Sequence, residues 1–364
     1  ETQAFLQQPP RAYRMQAHEV LVAAVATTLA GWMGRPEAIL ALEGHGRESE
    51  SDDVNLSRTV GCFTTMFPVC VSVPPGGGPG AILRAVKDQL RGVPRRGLDY
   101  GLWRYGVARS PAATPEVMVN YLGQFDQMLD EAGSVLATES MGRARHPAVP
   151  RAFVLEINAG VTGNRLSITI GYSANLHWPE TIDTFAYALG TRLRALIAHC
   201  RQVPWTRTTP SDVTLTKVTQ AELDALAEVG GEIENVYPLS PMQEGLLFHA
   251  LFDPQSSVYF QQFRVRLEGD LAIDAFRQAW ADVVARHSIL RTAFVWEGRE
   301  RPVQVAYARV PLAFDLQDFR ELSPDAQAAH LAEYVEADRS RGFRLDRVPL
   351  MRVALVRLGE REWE

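Results

Sequence analysis

The chain has 364 residues with 37 basic and 43 acidic side chains, a formal net charge of −6. This length is enough for two or three domains with cores of ordinary size. The mildly acidic balance, without a run of basic residues that could follow a phosphate backbone, excludes nucleic acid as an expected partner. The longest apolar run, 20–34, is too short to span a membrane, so we expect no membrane contact. The cysteines, Cys62, Cys70 and Cys200, lack the spacing of a zinc site or a disulfide framework, so we expect no metal and a cytoplasmic location.

Helical and strand-like patterns alternate along the first two hundred residues. Apolar residues at helical spacing predict a core-facing helix over 12–33, which Gly34 ends. Apolar runs predict a short strand over 38–42, one strand or a pair of strands over 62–73, a helix around 82–90 and a strand over 116–125. Alternation on both sides of a Gly-Asn turn predicts a hairpin of 153–158 with 165–172. A long helix then runs from Pro179 to Cys200.

A Pro/Thr-rich stretch without periodicity, 202–212, predicts a boundary. Beyond it, Thr219 with Glu222 and Ser240 with Gln243 are typical of helix N-terminal caps. The remaining patterns predict a half-buried strand over 263–268, a helix over 273–287 and strand-like runs over 289–297 and 348–358. Helices and strands therefore interleave on both sides of the boundary, which favours the α/β class.

The stretch 39–69 contains the most chemistry in the chain. Glu43, His45 and Arg47 alternate with Gly44 and Gly46, and in an extended backbone this spacing places the three polar side chains on one face. The glycines would let another backbone or a ligand approach closely. The pattern indicates a site at a strand end, and a solvated turn after a buried strand is the alternative.

Four ordered motifs resemble the later motifs of the epimerization domain of nonribosomal peptide synthetases. They read LEGHGRE (42–48), LSRTVGCFTTMFPV (56–69), VPRRGLDYG (93–101) and VNYLGQF (119–125). Two motifs after the boundary, YPLSPMQEGLLFH (237–249) and RHSILRTAF (286–294), resemble the start of a condensation domain of the type that accepts a D-configured donor.

The resemblance implies two chloramphenicol-acetyltransferase-like α/β lobes from two different domains. It places the C-terminal part of an epimerization domain at 1–201, an inter-domain linker with a short helix at 202–235, and the N-terminal part of a condensation domain at 236–364. Both domain types carry a His-His-x-x-x-Asp-Gly motif in the first lobe, whereas the eight histidines here are all isolated. We therefore expect a fragment of a larger synthetase, inactive by itself.

The resemblance also implies the catalytic role of Glu43. In the family the corresponding glutamate faces the second histidine of that motif across a tunnel, and the two exchange a Cα proton beside a thioester carbonyl. Burial at a strand end would raise the pKa of Glu43, while His45 and Arg47 would oppose this effect. A structural acid that pairs with Arg47 is the alternative.

The other site residues have weaker predicted roles. His45, Arg47 and Arg58 are supporting residues or ion-pair partners. Asn120 and Tyr121 either donate hydrogen bonds to the thioester oxygen or enolate, or cap their strand. In the condensation part, Ser240 and Gln243 shape an entrance helix, and Arg286, His287 and Arg291 have structural roles at a helix C-terminus.

The resemblance implies no directly bound cofactor. The substrate would arrive as an aminoacyl or peptidyl thioester on the phosphopantetheine arm of a carrier domain, with adenylation and condensation domains as flanking partners. Two other functions are considered: an inert carrier-docking or scaffold module, and a free-standing acyltransferase that uses coenzyme A. The absence of a His-His pair opposes the second of these.

Overall fold

The structure is a computed structural model that describes residues 1–47, 55–56, 58–107, 114–126, 139, 142, 146, 149–253 and 259–364. The chain divides into two compact units, Glu1–Thr206 and Arg207–Glu364. The division lies within the predicted boundary stretch, 202–212.

Five α-helices of the first unit lie entirely within its described residues. They are α1 (Thr2–Tyr13), α2 (Ala17–Met33), α3 (Pro79–Arg91), α4 (Leu98–Leu102) and α5 (Pro179–Gln202). Its strands are β1 (Glu37–Gly44), β2 (Thr65–Ser72), β3 (Val117–Gln124), β4 (Leu155–Thr162) and β5 (Arg165–Tyr172). A short 3₁₀ segment, Pro94–Gly97, precedes α4, and a π-helical turn, Trp103–Val107, follows it.

The five strands form one sheet in the order β2-β1-β3-β4-β5. Its three central strands are parallel and its two edge strands are antiparallel to their neighbours. One face packs with the helices in a continuous apolar core that includes Leu40, Val119 and Ile157. Because side chains alternate along a strand, Glu43, at the carboxyl end of β1, and Asn120, in the middle of β3, lie on the other face.

Most of the predicted elements of this unit are confirmed, including the hairpin, whose turn residues Gly163 and Asn164 have φ of 57° and 56°. The predicted start of the first long helix at residue 12 is wrong. The chain turns at Arg14 (φ 53°), and α2 begins after Gln16, whose backbone N–H donates to Glu19 Oε2 at 2.7 Å. Helix α1 was not predicted, because Pro9 and Pro10 within it are strong signals against a helix.

The second unit contains, in its described part, four α-helices and two small sheets. The helices are α6 (Gln220–Gly230), α7 (Pro241–Phe252), α8 (Ile273–Arg286) and α9 (Pro324–Arg341). The strands are β6 (Ile233–Pro238), β7 (Leu267–Glu268), β8 (Thr292–Val295), β9 (Val303–Tyr307), β10 (Ala313–Asp318), β11 (Arg352–Arg357) and β12 (Glu362–Trp363). The sheet orders are β6-β9-β8 and β10-β11-β12-β7.

The core of this unit includes part of the segment that we predicted to be a linker. Val213, Leu223 and Ile233 are buried in one cluster with residues of β8 and β9. Residues 207–235 therefore fold as part of the second unit and do not form a separate segment between the two units. The predicted capping boxes of α6 and α7 are confirmed.

The predictions for the second unit were incomplete. The strand predicted over 263–268 is limited to β7, because Phe263 and Val265 are 86% and 62% exposed and pair with no neighbouring strand in the described chain. Strands β6, β9, β10 and β12 and helix α9 were not predicted.

Two expectations from composition concern cysteines and membranes. All three cysteines are free, with Cys62 and Cys70 exposed and Cys200 buried. None of the helices in the described part of the chain combines the length and apolarity needed to cross a bilayer.

Candidate active site

Glu43, at the carboxyl end of β1, meets Asn120, which lies in the middle of the neighbouring parallel strand β3 and therefore does not cap its strand. Leu42 of β1 is in register with Val119 of β3, so the next residue of each strand lies at the same level and on the same face. The Asn120 side-chain amide donates a hydrogen bond to Glu43 Oε2 at 2.7 Å. The parallel register therefore brings together the two site residues that are 77 positions apart in sequence.

The surroundings of Glu43 change its acidity. The carboxyl is half-buried, and this burial raises the pKa of Glu43 above its ordinary value. The Asn120 amide holds one carboxyl oxygen in place and leaves the other, Oε1, without a hydrogen bond in the described residues. A carboxyl group with a raised pKa and one open oxygen is suited to take and return a proton.

The two glycines of the motif allow other parts of the backbone to approach closely. A Cβ on Gly46 (φ +62°) would lie 1.7 Å from the carbonyl oxygen of Phe63. A Cβ on Gly44 would lie 2.9 Å from Thr65 Oγ1 and 3.3 Å from the carbonyl oxygen of Arg96. Close approach is confirmed, and it is made by neighbouring segments of the chain.

Arg47 does not continue the face of Glu43, and that prediction is wrong. Strand β1 ends at Gly44, and the positive φ of Gly46 turns the chain. The Arg47 guanidinium instead donates to the carbonyl oxygens of residues 56, 59 and 61 at 2.8 to 3.1 Å, and it lies 4.6 Å from the Phe63 ring centroid. The described residues contain no Glu43–Arg47 ion pair, so Arg47 holds the following loop together.

His45 and Arg58 lie at the surface. His45 is exposed, and its Nδ1 accepts a hydrogen bond from the backbone N–H of Arg47 at 3.1 Å. Arg58 is exposed in the loop that Arg47 braces. Glu48, the last residue of the first motif, and the acidic stretch 49–53 fall outside the described residues.

Tyr121 lies on the opposite face of the sheet from Asn120. Its ring makes an edge contact with Phe5 of α1, with centroids 6.1 Å apart. Its hydroxyl group is buried without a hydrogen-bond partner in the described chain, and burial raises the pKa of Tyr121. The structure therefore brings Asn120, and not Tyr121, to Glu43.

The motif VPRRGLDYG (93–101) contains two arginines to which the sequence assigned no role. Arg95 (φ 45°) and Arg96 (φ 50°) are consecutive residues in the left-handed region, which costs a non-glycine residue about 1–2 kcal/mol. Gly97 (φ +81°) packs so closely on Phe67 that a Cβ would lie 2.0 Å from the ring. In the sequence, the signal for this loop was the pair of arginines directly before a glycine. The structure shows that no other residue fits at that glycine.

In the second unit, Ser240 and Gln243 are helix-capping residues. The Ser240 N–H donates to Gln243 Oε1 at 2.9 Å, and the Gln243 N–H donates to Ser240 Oγ at 3.3 Å. The Gln243 side chain also contacts Gln304 of β9. These bonds fix the start of α7 against the three-stranded sheet.

Arg291 forms a buried brace, whereas Arg286 and His287 are exposed at the end of α8. The Arg291 guanidinium, 5% exposed, donates to the Val284 carbonyl at 3.0 Å, to Glu234 Oε2 at 2.6 Å and to the Tyr307 carbonyl. It therefore joins α8, β6 and β9.

Curated relatives align with almost the whole chain. One of the linear gramicidin synthase proteins of Brevibacillus parabrevis is 42% identical over 99% of this chain and 5% of its own length. One of the mycosubtilin synthase proteins of Bacillus subtilis is 35% identical over 99% of this chain and 14% of its own length. The chain thus spans only a small part of these relatives.

A solved structure and a family model agree with this similarity. The epimerization domain from the third module of tyrocidine synthetase B aligns with a TM-score of 0.51 and 28% identity, over 55% of this chain and 46% of that domain's chain. The predicted α/β class with chloramphenicol-acetyltransferase-like lobes is confirmed. The condensation domain model matches residues 1–218 and 233–364, and the chain belongs to the condensation domain family.

Proposed function

We propose that the first unit is part of an epimerization domain of a nonribosomal peptide synthetase, in which the Glu43 carboxyl exchanges a proton with the substrate Cα. The observation that carries this proposal is the Asn120–Glu43 hydrogen bond at the carboxyl end of β1, on a carboxyl whose pKa is raised by burial. The similarity to the tyrocidine synthetase epimerization domain supports it.

The chemistry requires a base and an acid on opposite sides of one carbon. The substrate is an aminoacyl or peptidyl thioester, whose Cα proton is weakly acidic because the adjacent carbonyl stabilises the enolate. When Glu43 is ionised, its open oxygen, Oε1, takes the proton from one side of Cα. A group on the opposite side then delivers a proton to the planar enolate, which inverts Cα; in the reverse direction protonated Glu43 delivers its proton from its own side, so that the L and D configurations interconvert.

Asn120 has a positioning role in this proposal. Its amide donates to Glu43 Oε2 and so restricts rotation of the carboxyl group. The amide therefore fixes the orientation of a carboxyl whose pKa is raised by burial and leaves Oε1 for proton transfer.

A second proton-transfer group is needed from outside this chain. Each of the eight histidines stands alone in the sequence, and the family resemblance places the opposing histidine in a His-His-x-x-x-Asp-Gly motif. We therefore expect no turnover from the isolated 364-residue chain, and epimerization by a synthetase that supplies this motif.

For the second unit we propose the first lobe of a condensation domain, which forms a peptide bond after epimerization. The motif 237–249 forms the capped helix α7, and the motif 286–294 places the buried Arg291 brace. Both support a scaffolding role for the motif residues of this lobe. The proposed partners are carrier domains of the same synthetase, which present substrates on phosphopantetheine, together with adjacent adenylation and condensation domains.

An inert carrier-docking or scaffold module is the second candidate function. The isolated histidines favour it, whereas the raised pKa and fixed orientation of Glu43 are not needed by a scaffold. The two candidates differ in what the Glu43 carboxyl does.

The experiment is Glu43→Gln in a synthetase that contains this chain and a His-His-x-x-x-Asp-Gly lobe. The ratio of D to L product released from the carrier is measured by chiral chromatography. We expect the initial epimerization rate to fall by about 10²–10⁴-fold, the usual contribution of general acid–base catalysis. Glu37→Gln, at the other end of β1, is the matched control and should leave the rate unchanged. An unaltered rate in Glu43→Gln would support the scaffold.

A further inference from the structure

Asn158 lies in the same row of the five-stranded sheet as Glu43. Glu43 of β1 lies beside Asn120 of β3, and Asn120 is in register with Asn158 of β4. Asn158 is in turn paired with Thr169 of β5, and Glu43 is paired with Met66 of β2. Paired residues of neighbouring strands have their side chains on the same face of the sheet. The register therefore places one residue of each strand in a single row across the sheet.

The neighbours of Asn158 along β4 show which face of the sheet it occupies. Ile157 and Ala159 are 0% and 1% exposed and belong to the core that packs with the helices. Because successive side chains of a strand lie on opposite faces, Asn158 lies on the face away from this core, with Glu43. Its side chain is half-buried there.

The Asn158 side chain makes no hydrogen bond to the part of the chain that the structure describes. Neither polar atom of its amide is among the enclosed, partnerless side-chain atoms of the described residues, so the amide remains accessible. The Asn120 amide, by contrast, is bound to Glu43 Oε2. Asn158 therefore presents an amide with two N–H donors whose acceptor must come from outside the described chain.

The proposed reaction needs a donor of this kind. When Glu43 Oε1 takes the Cα proton, the electron pair of the C–H bond moves to the thioester carbonyl oxygen, which becomes the negatively charged enolate oxygen. The sequence predicted Asn120 and Tyr121 as donors to that oxygen. In the structure Asn120 donates to Glu43, and Tyr121 lies on the opposite face against Phe5.

The row has different chemistry on the two sides of Glu43. Met66, on the β2 side, has a thioether that donates no hydrogen bond. On the other side lie the amides of Asn120 and Asn158 and then the hydroxyl group of Thr169. A thioester carbonyl bound beside Glu43 is therefore stabilised when it is directed toward β4.

The spacing of the strands suits a substrate that contacts both Glu43 and Asn158. Neighbouring strands lie about 4.8 Å apart, so the backbone positions of these two residues are separated by about 10 Å. A Cα in position for proton transfer lies about 3 Å from Glu43 Oε1. Its carbonyl oxygen lies about 2.4 Å further on, and a hydrogen bond from that oxygen spans about 2.9 Å. These lengths reach about 8 Å, and rotation of the two side chains covers the difference.

We propose that the Asn158 amide donates a hydrogen bond to the carbonyl oxygen of the substrate thioester and stabilises it as the enolate oxygen. This inference rests on the proposed function, in which Glu43 transfers the Cα proton. Asn158 itself transfers no proton, and its hydrogen bond becomes stronger as negative charge develops on the oxygen. Because the amide contacts a reacting atom, Asn158 is a catalytic residue, whereas Asn120 positions Glu43.

The test uses an intact synthetase that contains this chain and a His-His-x-x-x-Asp-Gly lobe. Asn158→Leu removes the amide and keeps its branched outline, and Asn158→Asp keeps its shape but replaces the N–H donors by a carboxylate. Asn175→Leu, in an exposed turn, is the matched control. Mass spectrometry follows deuterium uptake at Cα separately from the L and the D thioester. Urea unfolding of the 364-residue chain shows whether each variant is folded, and Asn158→Asp carries the test if Asn158→Leu is not.

We expect Asn158→Leu to slow uptake from both enantiomers by the same factor, about 10²–10³, the usual cost of removing one donor to an oxyanion. Both enantiomers are affected because they share one enolate. Asn158→Asp should lose at least as much, because a carboxylate donates no hydrogen bond and repels the enolate, and Asn175→Leu should keep the native rate. Native uptake in either Asn158 variant would overturn the inference. A loss confined to the enantiomer whose hydrogen faces Glu43 would also overturn it, since Asn158 would then act only through Glu43.

These outcomes are separable from failure of the role proposed for Glu43. Glu43→Gln should slow uptake from one enantiomer, whereas the Asn158 variants should slow uptake from both. If Glu43→Gln exchanges both enantiomers at the native rate while the Asn158 variants slow both, the role of Glu43 fails and that of Asn158 stands. If only Glu43→Gln is slowed, the role of Asn158 fails and that of Glu43 stands.

Discussion

Helices α2 and α8 belong to different units and differ greatly in burial. Of the 17 residues of α2, ten are buried, whereas α8 buries only Val284 among its 14 residues. The sequence predicted an apolar face in both cases, from apolar residues at the same spacing. Periodicity identifies the face that a helix is able to bury, and the amount of surface available to cover that face decides whether it does so.

The same contrast holds for the aromatic residues of the two units. Phe5 in α1 is completely buried, while Phe252 in α7 is 78% exposed and stacks on Phe248, which is also exposed. The first unit is stabilised by one large core that joins helices to a five-stranded sheet, and the second by smaller clusters around two small sheets. Equivalent substitutions in the two units should therefore have unequal effects.

The largest expected effect breaks the core of the first unit. Phe5→Ala should reduce the free energy of unfolding by about 3–5 kcal/mol, because it removes a fully buried ring and leaves a cavity. Phe252→Ala should change it by no more than about 0.5 kcal/mol. Urea unfolding followed by circular dichroism measures both. Similar losses for the two variants would show that α7 is packed as tightly as α1.

A second substitution tests the support of the site rather than the core. Gly97→Ala should cost about 3 kcal/mol, because it combines an unfavourable positive φ with a clash against Phe67. Gly34→Ala has a similar φ of +68° with open space around it, so it should cost only about 1 kcal/mol. The difference between the two losses measures the packing of the segment Pro94–Gly97 on β2. Equal losses would mean that Phe67 can move aside at little cost in free energy.

The sequence does not show that Gly97 is tightly packed while Gly34 has open space around it. Gly97 was part of a quoted motif, but its contact with Phe67 joins two distant positions through a loop whose conformation depends on β2. The Glu43–Asn120 pair is similar: each residue was predicted to lie at a strand end, but only the parallel register of β1 with β3 shows that they are neighbours.

The prediction for Arg47 failed for a local reason. Alternation over Glu43, His45 and Arg47 assumed an extended backbone, and the left-handed Gly46 ends that extension. Tyr121 was grouped with Asn120 as adjacent in sequence, although adjacent residues of a strand face opposite sides. In both cases the residues were chosen from the right motifs, and the geometry separated them.

The smallest expected effect concerns the acidity of Glu43. Burial raises its pKa in the folded chain, so the stability that Glu43 contributes is present below its unfolded pKa and is lost as the pH rises through the folded value. Relative to the native chain, Glu43→Gln should gain stability between about pH 4 and about pH 7, by less than about 1 kcal/mol since the carboxyl is only half-buried. Urea midpoints at both pH values measure this change. An increase in the stability of the native chain relative to the variant as the pH rises would contradict the direction of the pKa shift.

The most direct test of the account is exchange of the substrate Cα hydrogen with solvent deuterium, in an intact synthetase that contains this chain. Mass spectrometry of the released amino acid follows deuterium uptake separately from the L and the D thioester. If Glu43 transfers a proton on one side of Cα, Glu43→Gln should slow uptake from the enantiomer whose hydrogen faces Glu43 by about 10²–10⁴-fold, while Glu37→Gln has no effect. Uptake from both enantiomers at the native rate in Glu43→Gln would contradict the catalytic role of Glu43.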